Sequence, residues 1–118
     1  MRIENIGICL IMICLLFISC SVEREIKNEL LSPNGIFKII EQRVNGGATT
    51  KLLNKIFIAH KDFELKWDTT PVLTTVEGNI LNISWIDNKT ILINVKTESL
   101  IEFQIVKYYG FTIIVESE

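Results

Sequence analysis

A chain of 118 residues with 12 Lys and Arg against 14 Asp and Glu carries a formal net charge of −2. That length fits one domain, and the slightly acidic balance excludes the basic footprint of a nucleic-acid binder. At 48% hydrophobic and 22% charged residues, the composition is not that of a disordered chain.

Residues 1–20 read MRIENIGICLIMICLLFISC. Arg2 and the amino terminus make a thin positive start, partly offset by Glu4. The 13 residues from Ile6 to Ile18 carry no charge. A membrane-spanning helix needs about 20 apolar residues, whereas the apolar core of a secretory leader runs about 7–15. The stretch therefore reads as a leader, with an uncleaved anchor or buried helix as the alternative. Leu16-Phe17-Ile18-Ser19-Cys20 resembles a bacterial lipobox. It has an apolar residue three before the cysteine and a small residue just before it, then the thiol that a diacylglycerol would occupy. Phe17 departs from the usual Leu. The resemblance implies a signal peptide over 1–19 and lipidation at Cys20, and the patterning that follows divides the rest into a tether over 20–32 and a β domain over 33–118. Cys9 and Cys14 would leave with the leader, so the mature chain would hold no thiol to pair with Cys20.

Ser21–Ser32 is charged, and Val22, Ile26 and Leu30 recur at four-residue spacing, which predicts a short helical tether. Pro33-Asn34-Gly35 is a turn signal. From Ile36 the pattern changes to period two. Strands are expected over Ile36–Val44, Thr50–Ala59, Asp62–Asp68, Ile80–Ile86, Thr90–Val95, Leu100–Tyr108 and Phe111–Val115. In the third of these, Phe63, Leu65 and Trp67 share one face opposite Asp62, Glu64, Lys66 and Asp68. Elsewhere the expected apolar faces are Leu81/Ile83/Trp85, Ile91/Ile93/Val95, Ile101/Phe103/Ile105 and Phe111/Ile113/Val115. About seven short strands at this spacing, without βαβ alternation, predict a mostly β fold. It would be a single small antiparallel sheet, a sandwich or a partial barrel, following the helical signal and tether.

Asn45-Gly46-Gly47-Ala48-Thr49-Thr50 is the most distinctive stretch. Asn-Gly between two strands is the strongest short hairpin signal, of type I′. The alternative is a ligand loop of Asn45, Gly46, Gly47, Thr49 and Thr50, whose amides would form an anion-binding nest. The spacing is not that of a P-loop. Ser32–Gly35 (SPNG), Asn45–Thr50 (NGGATT), Trp85–Thr90 (WIDNKT) and Tyr108–Val115 (YYGFTIIV) together resemble an uncharacterised family of small bacterial envelope lipoproteins. Its members carry SPDG-like and GATT segments. The resemblance implies an anchored, β-rich extracytoplasmic domain and supplies no activity. Some relatives have cysteine where Gly46 stands, so a role tied to that thiol would not apply.

Catalytic constellations are sparse. His60 is the single histidine, and no nucleophile elbow occurs. His60, Asp62 and Glu64 would alternate on one strand face, which reads as a solvated face rather than a zinc site. Glu41, Glu77 and Glu102 are the carboxylates that a glycosidase-like hydrolysis would draw on. Trp67, Trp85, Tyr108 and Tyr109 read as core or girdle residues rather than a sugar platform. The expectation is a non-enzymatic lipoprotein with no cofactor and no metal. It would be held by its lipid to the outer side of a bacterial membrane, the outer membrane included, and would bind an envelope protein or component. A small carboxylate hydrolase or a membrane-tethered immunity or inhibitor protein are the alternatives.

Overall fold

Alternating apolar side chains leave a strand with one face that must be covered, and two such faces can cover each other. A computed structural model describes residues 23–46 and 51–118 and shows this solution. The described residues are mostly β, with two sheets and no α-helix. The strands are β1 (Glu23–Leu31), β2 (Phe37–Asn45), β3 (Leu52–His60), β4 (Leu73–Val76) and β5 (Ile80–Trp85). They continue with β6 (Thr90–Val95), β7 (Ile101–Gln104), β8 (Lys107–Tyr108) and β9 (Phe111–Ser117). One sheet has the order β1-β2-β3-β4-β7 and the other β5-β6-β9-β8. A single sheet is thus corrected to two. Pairing is antiparallel except between β6 and β9, which run parallel in the register Thr90↔Thr112 to Val95↔Ser117.

The sheets share one apolar core. The first contributes Ile39, Ile56, Ile58 and Leu73, with Val72 just before β4. The second contributes Ile91, Ile93, Val95, Phe111 and Ile113. The expected apolar faces of β6 and β9 are therefore found as read. Leu30, Phe37, Ile83 and Trp85 pack around this core. Trp85 and Phe37 both meet Phe111 edge-on, at ring-centroid separations of 6.0 and 5.0 Å. Ile40, Val44 and Phe57 are also buried, but alternation puts them on the other face of the five-stranded sheet.

Four expectations are overturned, each for a physical reason. Residues 23–31 are not a helical tether but strand β1, an edge of the five-stranded sheet paired along its length with β2. Four-residue spacing is even and suits a strand as well as a helix, and a bulge between Ile26 and Asn28 then turns Ile26, opposite Gln42, to the other face from Leu30, opposite Ile39. The clean alternation over Asp62–Asp68 forms no strand, and Trp67 is 81% exposed. Alternation gives a strand a suitable face but no partner edge. Leu81 does not join Ile83 and Trp85. A bulge between Ile80 and Asn82 puts Ile80 against the core and leaves Leu81 exposed. A similar irregularity in the β4–β7 register sets Phe103 opposite Thr74, so Phe103 is exposed while Ile101 packs inward.

Strand β4 (Leu-Thr-Thr-Val) had no apolar signature, and a hydrogen-bond network holds it. Thr75 is fully buried and donates its hydroxyl to the Leu100 carbonyl at 2.8 Å. Asn79, 1% exposed, donates from Nδ2 to Thr75 Oγ1 and the Thr97 carbonyl, both at 2.9 Å. It also accepts from the Thr97 amide at 3.1 Å. Every polar group of that side chain is thus satisfied, as burial requires.

Candidate functional site

The two ends of the domain differ in chemistry. At one end three turns meet. In the SPNG turn the Gly35 amide donates to the Ser32 carbonyl at 2.8 Å, and Gly35 has φ 71°. The Ser32 hydroxyl donates to Asn34 Oδ1 at 2.7 Å. The Asn34 amide donates to Asn88 Oδ1 at 2.8 Å, which ties this turn to the one between β5 and β6. In that second turn the Asp87 carboxylate accepts the Lys89 amide at 2.8 Å. This bond, with the Thr90 side chain next, holds Asp87 below the ordinary carboxylate value of 3.8. Lys89 Nζ lies over the Phe37 and Phe111 rings, 4.9 and 4.7 Å from their centroids. Its carbonyl accepts the Thr112 amide just past the Tyr109-Gly110 turn, at 2.8 Å. SPNG, DNKT and YYGF are therefore one assembled cap.

The opposite end is polar inside. Beyond Ile39 the core-facing positions of β2 are Glu41, Arg43 and Asn45, opposite Ile56, Asn54 and Leu52 of β3. On β1 they meet Asn28, Glu25 and Glu23. A cleft of about 350 Å³ opens here, lined by Glu23, Arg24, Glu25, Arg43 and Asn45. Asn45 closes β2 opposite Leu52, so the β2–β3 hairpin is real but its loop spans 46–51. A two-residue type I′ turn at Asn45-Gly46 is thereby corrected, because Asn45 is itself a paired strand residue. Gly46 is half-buried. Gly47, Thr49 and Thr50 lie outside the described residues, as does Cys20.

Deeper along the same face, Glu41 Oε2 accepts Asn54 Nδ2 at 3.2 Å and faces Lys27 Nζ at 3.9 Å. Lys27 also reaches Glu77 Oε1 at 3.3 Å. Asn54 is 1% exposed, and its Oδ1 has no hydrogen-bonding partner. Of the three carboxylates singled out, Glu41 and Glu77 thus converge on one ammonium. Glu102 stands elsewhere, 3.9 Å from Lys51 on exposed surface. A shared counter-ion suits an ion-pair network better than the acid and base of a glycosidase, which need opposite protonation states. The Lys27–Glu41–Asn54 arrangement is invisible to pattern reading, because the bulge that brings Lys27 beside Glu41 leaves no local signature.

The remaining candidates separate. His60 ends β3, where its Nδ1 accepts the Asp62 amide at 3.3 Å and lies 3.8 Å from Asp62 Oδ2. With no strand through Glu64, the three side chains do not share a strand face. Among the described residues no group of three His, Cys, Asp or Glu is placed to hold a metal ion. Trp85 is fixed at the core margin by donating Nε1 to the Leu30 carbonyl at 3.0 Å. Tyr108 and Tyr109 meet edge-on at 4.6 Å. Comparison with family models, curated proteins and solved structures gave no match to the chain.

Proposed function

We propose that this chain is a lipoprotein of a bacterial cell envelope, anchored on the extracytoplasmic side through Cys20, whose β-sandwich is a non-catalytic binding module. The observation that carries the reading is the junction Leu16–Cys20 at the end of an uncharged stretch that begins at Ile6. Strand β1 begins at Glu23, so the anchor point adjoins the folded part. Among the described residues no helix is long and apolar enough to cross a membrane. Two or more acyl chains make such anchoring stable, each buried CH₂ contributing about 0.8 kcal/mol.

An envelope protein is the favoured partner, and an immunity or inhibitor protein is a special case of the same module. The polar cleft beside Asn45 is its candidate contact surface. Metabolic labelling with palmitate tests the anchor. Label is expected in the wild-type chain and lost in Cys20→Ala, together with partition into the detergent phase. Labelling that survives the substitution overturns the reading.

A further inference from the structure

We propose that the seam between β1 and β5 is a groove for an extended peptide segment that carries a basic side chain. The proposal rests on the binding-module reading and adds to the polar cleft a second contact surface, whose partner chemistry it names. Strands β1 and β5 are edges of different sheets, each hydrogen-bonded to one neighbour. At one point they are clasped, where Trp85 Nε1 donates to the Leu30 carbonyl at 3.0 Å. Beyond the clasp they part around a cavity of about 320 Å³. Lys27, Asn28, Leu30 and Glu41 form one wall, and β5 from Ile80 to Ile83 forms the other. Both strands are bulged within the groove, between Ile26 and Asn28 and between Ile80 and Asn82. Bulges of this kind break regular pairing and re-aim side chains at binding sites.

The chemistry of the lining selects the occupant. Glu41 is deeply set, its side chain 12% exposed. It holds Asn54 Nδ2, while Asn54 Oδ1 remains a buried acceptor without a donor. Glu41 and Glu77 together face the single ammonium of Lys27. Two carboxylates thus share one ammonium, and Glu41 is the one that lines the groove, so a ligand that neutralises it must bring N–H groups and positive charge. A guanidinium, with five donors and no acceptor, meets that need best. The rest of the lining is Leu30, Ile80, Leu81 and Ile83 with the amides of Asn28 and Asn82. No aromatic ring is present there for a sugar to stack on. Aliphatic contacts beside two free strand edges are what an added peptide strand uses. The volume lies at the small end of ligand sites, so only a short segment enters.

Fluorescence anisotropy on the full lipidated protein in detergent micelles tests this. The probe is a fluorescein-labelled, acetylated Thr-Val-Arg-Val-Thr peptide, compared with the same peptide bearing Glu for Arg. Saturable binding of the Arg peptide is expected, at least about tenfold tighter than the Glu peptide. Glu41→Gln and Leu81→Arg are each expected to weaken it by about tenfold or more. Leu81 is exposed on the rim, so that variant keeps its melting temperature and separates groove loss from unfolding. The proposal is overturned by no saturable binding up to about 1 mM peptide, by equal binding of the Glu peptide, or by unaltered affinity in Leu81→Arg. Free argininamide binding as tightly as the peptide overturns it too, since that would be a cation pocket without strand addition. Palmitate labelling of the same preparation reports on the anchor separately, so a failed titration with intact lipid sinks the groove alone.

Discussion

Tyr109 sits in an unfavourable backbone conformation for a side chain of its size. Tyr108 pairs with Phe111, so Tyr109 and Gly110 are a two-residue hairpin loop, with φ 47° and 85°. Positive φ at both central residues is the signature of a type I′ turn, the loop whose twist matches its strands. Left-handed backbone costs a non-glycine residue roughly 1–2 kcal/mol, and Asn tolerates it better. The edge-on contact with Tyr108 offsets part of that cost, at the low end of about 0.5–1.5 kcal/mol because Tyr109 is exposed. Tyr109→Asn is therefore expected to raise unfolding free energy by about 0.5–1 kcal/mol in a urea titration. A loss of stability would mean that the tyrosine pair outweighs the backbone strain. The type I′ loop thus forms at Tyr-Gly, while Asn45-Gly46 opens a longer loop. A dipeptide announces a turn, but the register of the flanking strands sets its length.

At the scale of elements, regular strands were readable and bulged ones were not. Ile91, Ile93 and Val95, like Phe111 and Ile113, alternate without interruption, and all five are buried. In β5 one extra residue reverses the parity of the face, and nothing local marks it. Thr74 and Thr75 of β4 are both buried, and the hydrogen bonds of Thr75 are something residue hydropathy does not register. The polar interior at Glu41 and Asn54 was hidden for a related reason: its partners are distant in sequence, Lys27 on β1 and Glu77 in the turn after β4. Strand β1 offers the sharpest test of these distinctions. Were residues 20–32 a mere tether, a chain beginning at Pro33 would fold as well as the full domain. Instead, removing β1 strips Leu30 from the core margin, leaves Trp85 Nε1 without its acceptor, and bares the edge of β2. The loss expected on thermal or urea unfolding is about 3 kcal/mol or more. Equal stability of the two chains would return residues 23–31 to the role of spacer.

At the scale of the whole molecule, the proposed anchor orients the domain. Glu23 stands three positions after Cys20, a reach of at most about 10 Å. Glu23 is paired with Asn45, so the polar cleft and the 46–51 loop belong to the end nearest the lipid. Strand β3 runs from that end to the turn cap, nine residues or about 30 Å. Lys51 and Lys61 stand just outside its two ends, and both are exposed. The mature chain would carry no other free thiol, so Lys51→Cys and Lys61→Cys each take one fluorophore cleanly. In vesicles bearing headgroup-quencher lipids, the label at 51 is expected to be strongly quenched and the label at 61 only weakly. Screening leaves this difference intact, because it reports distance rather than charge. If both labels quench equally, or 61 exceeds 51, the domain does not stand on the membrane by its β1 end. Stronger quenching at 61 would turn the cleft away from the bilayer, and a partner would approach it from the opposite side.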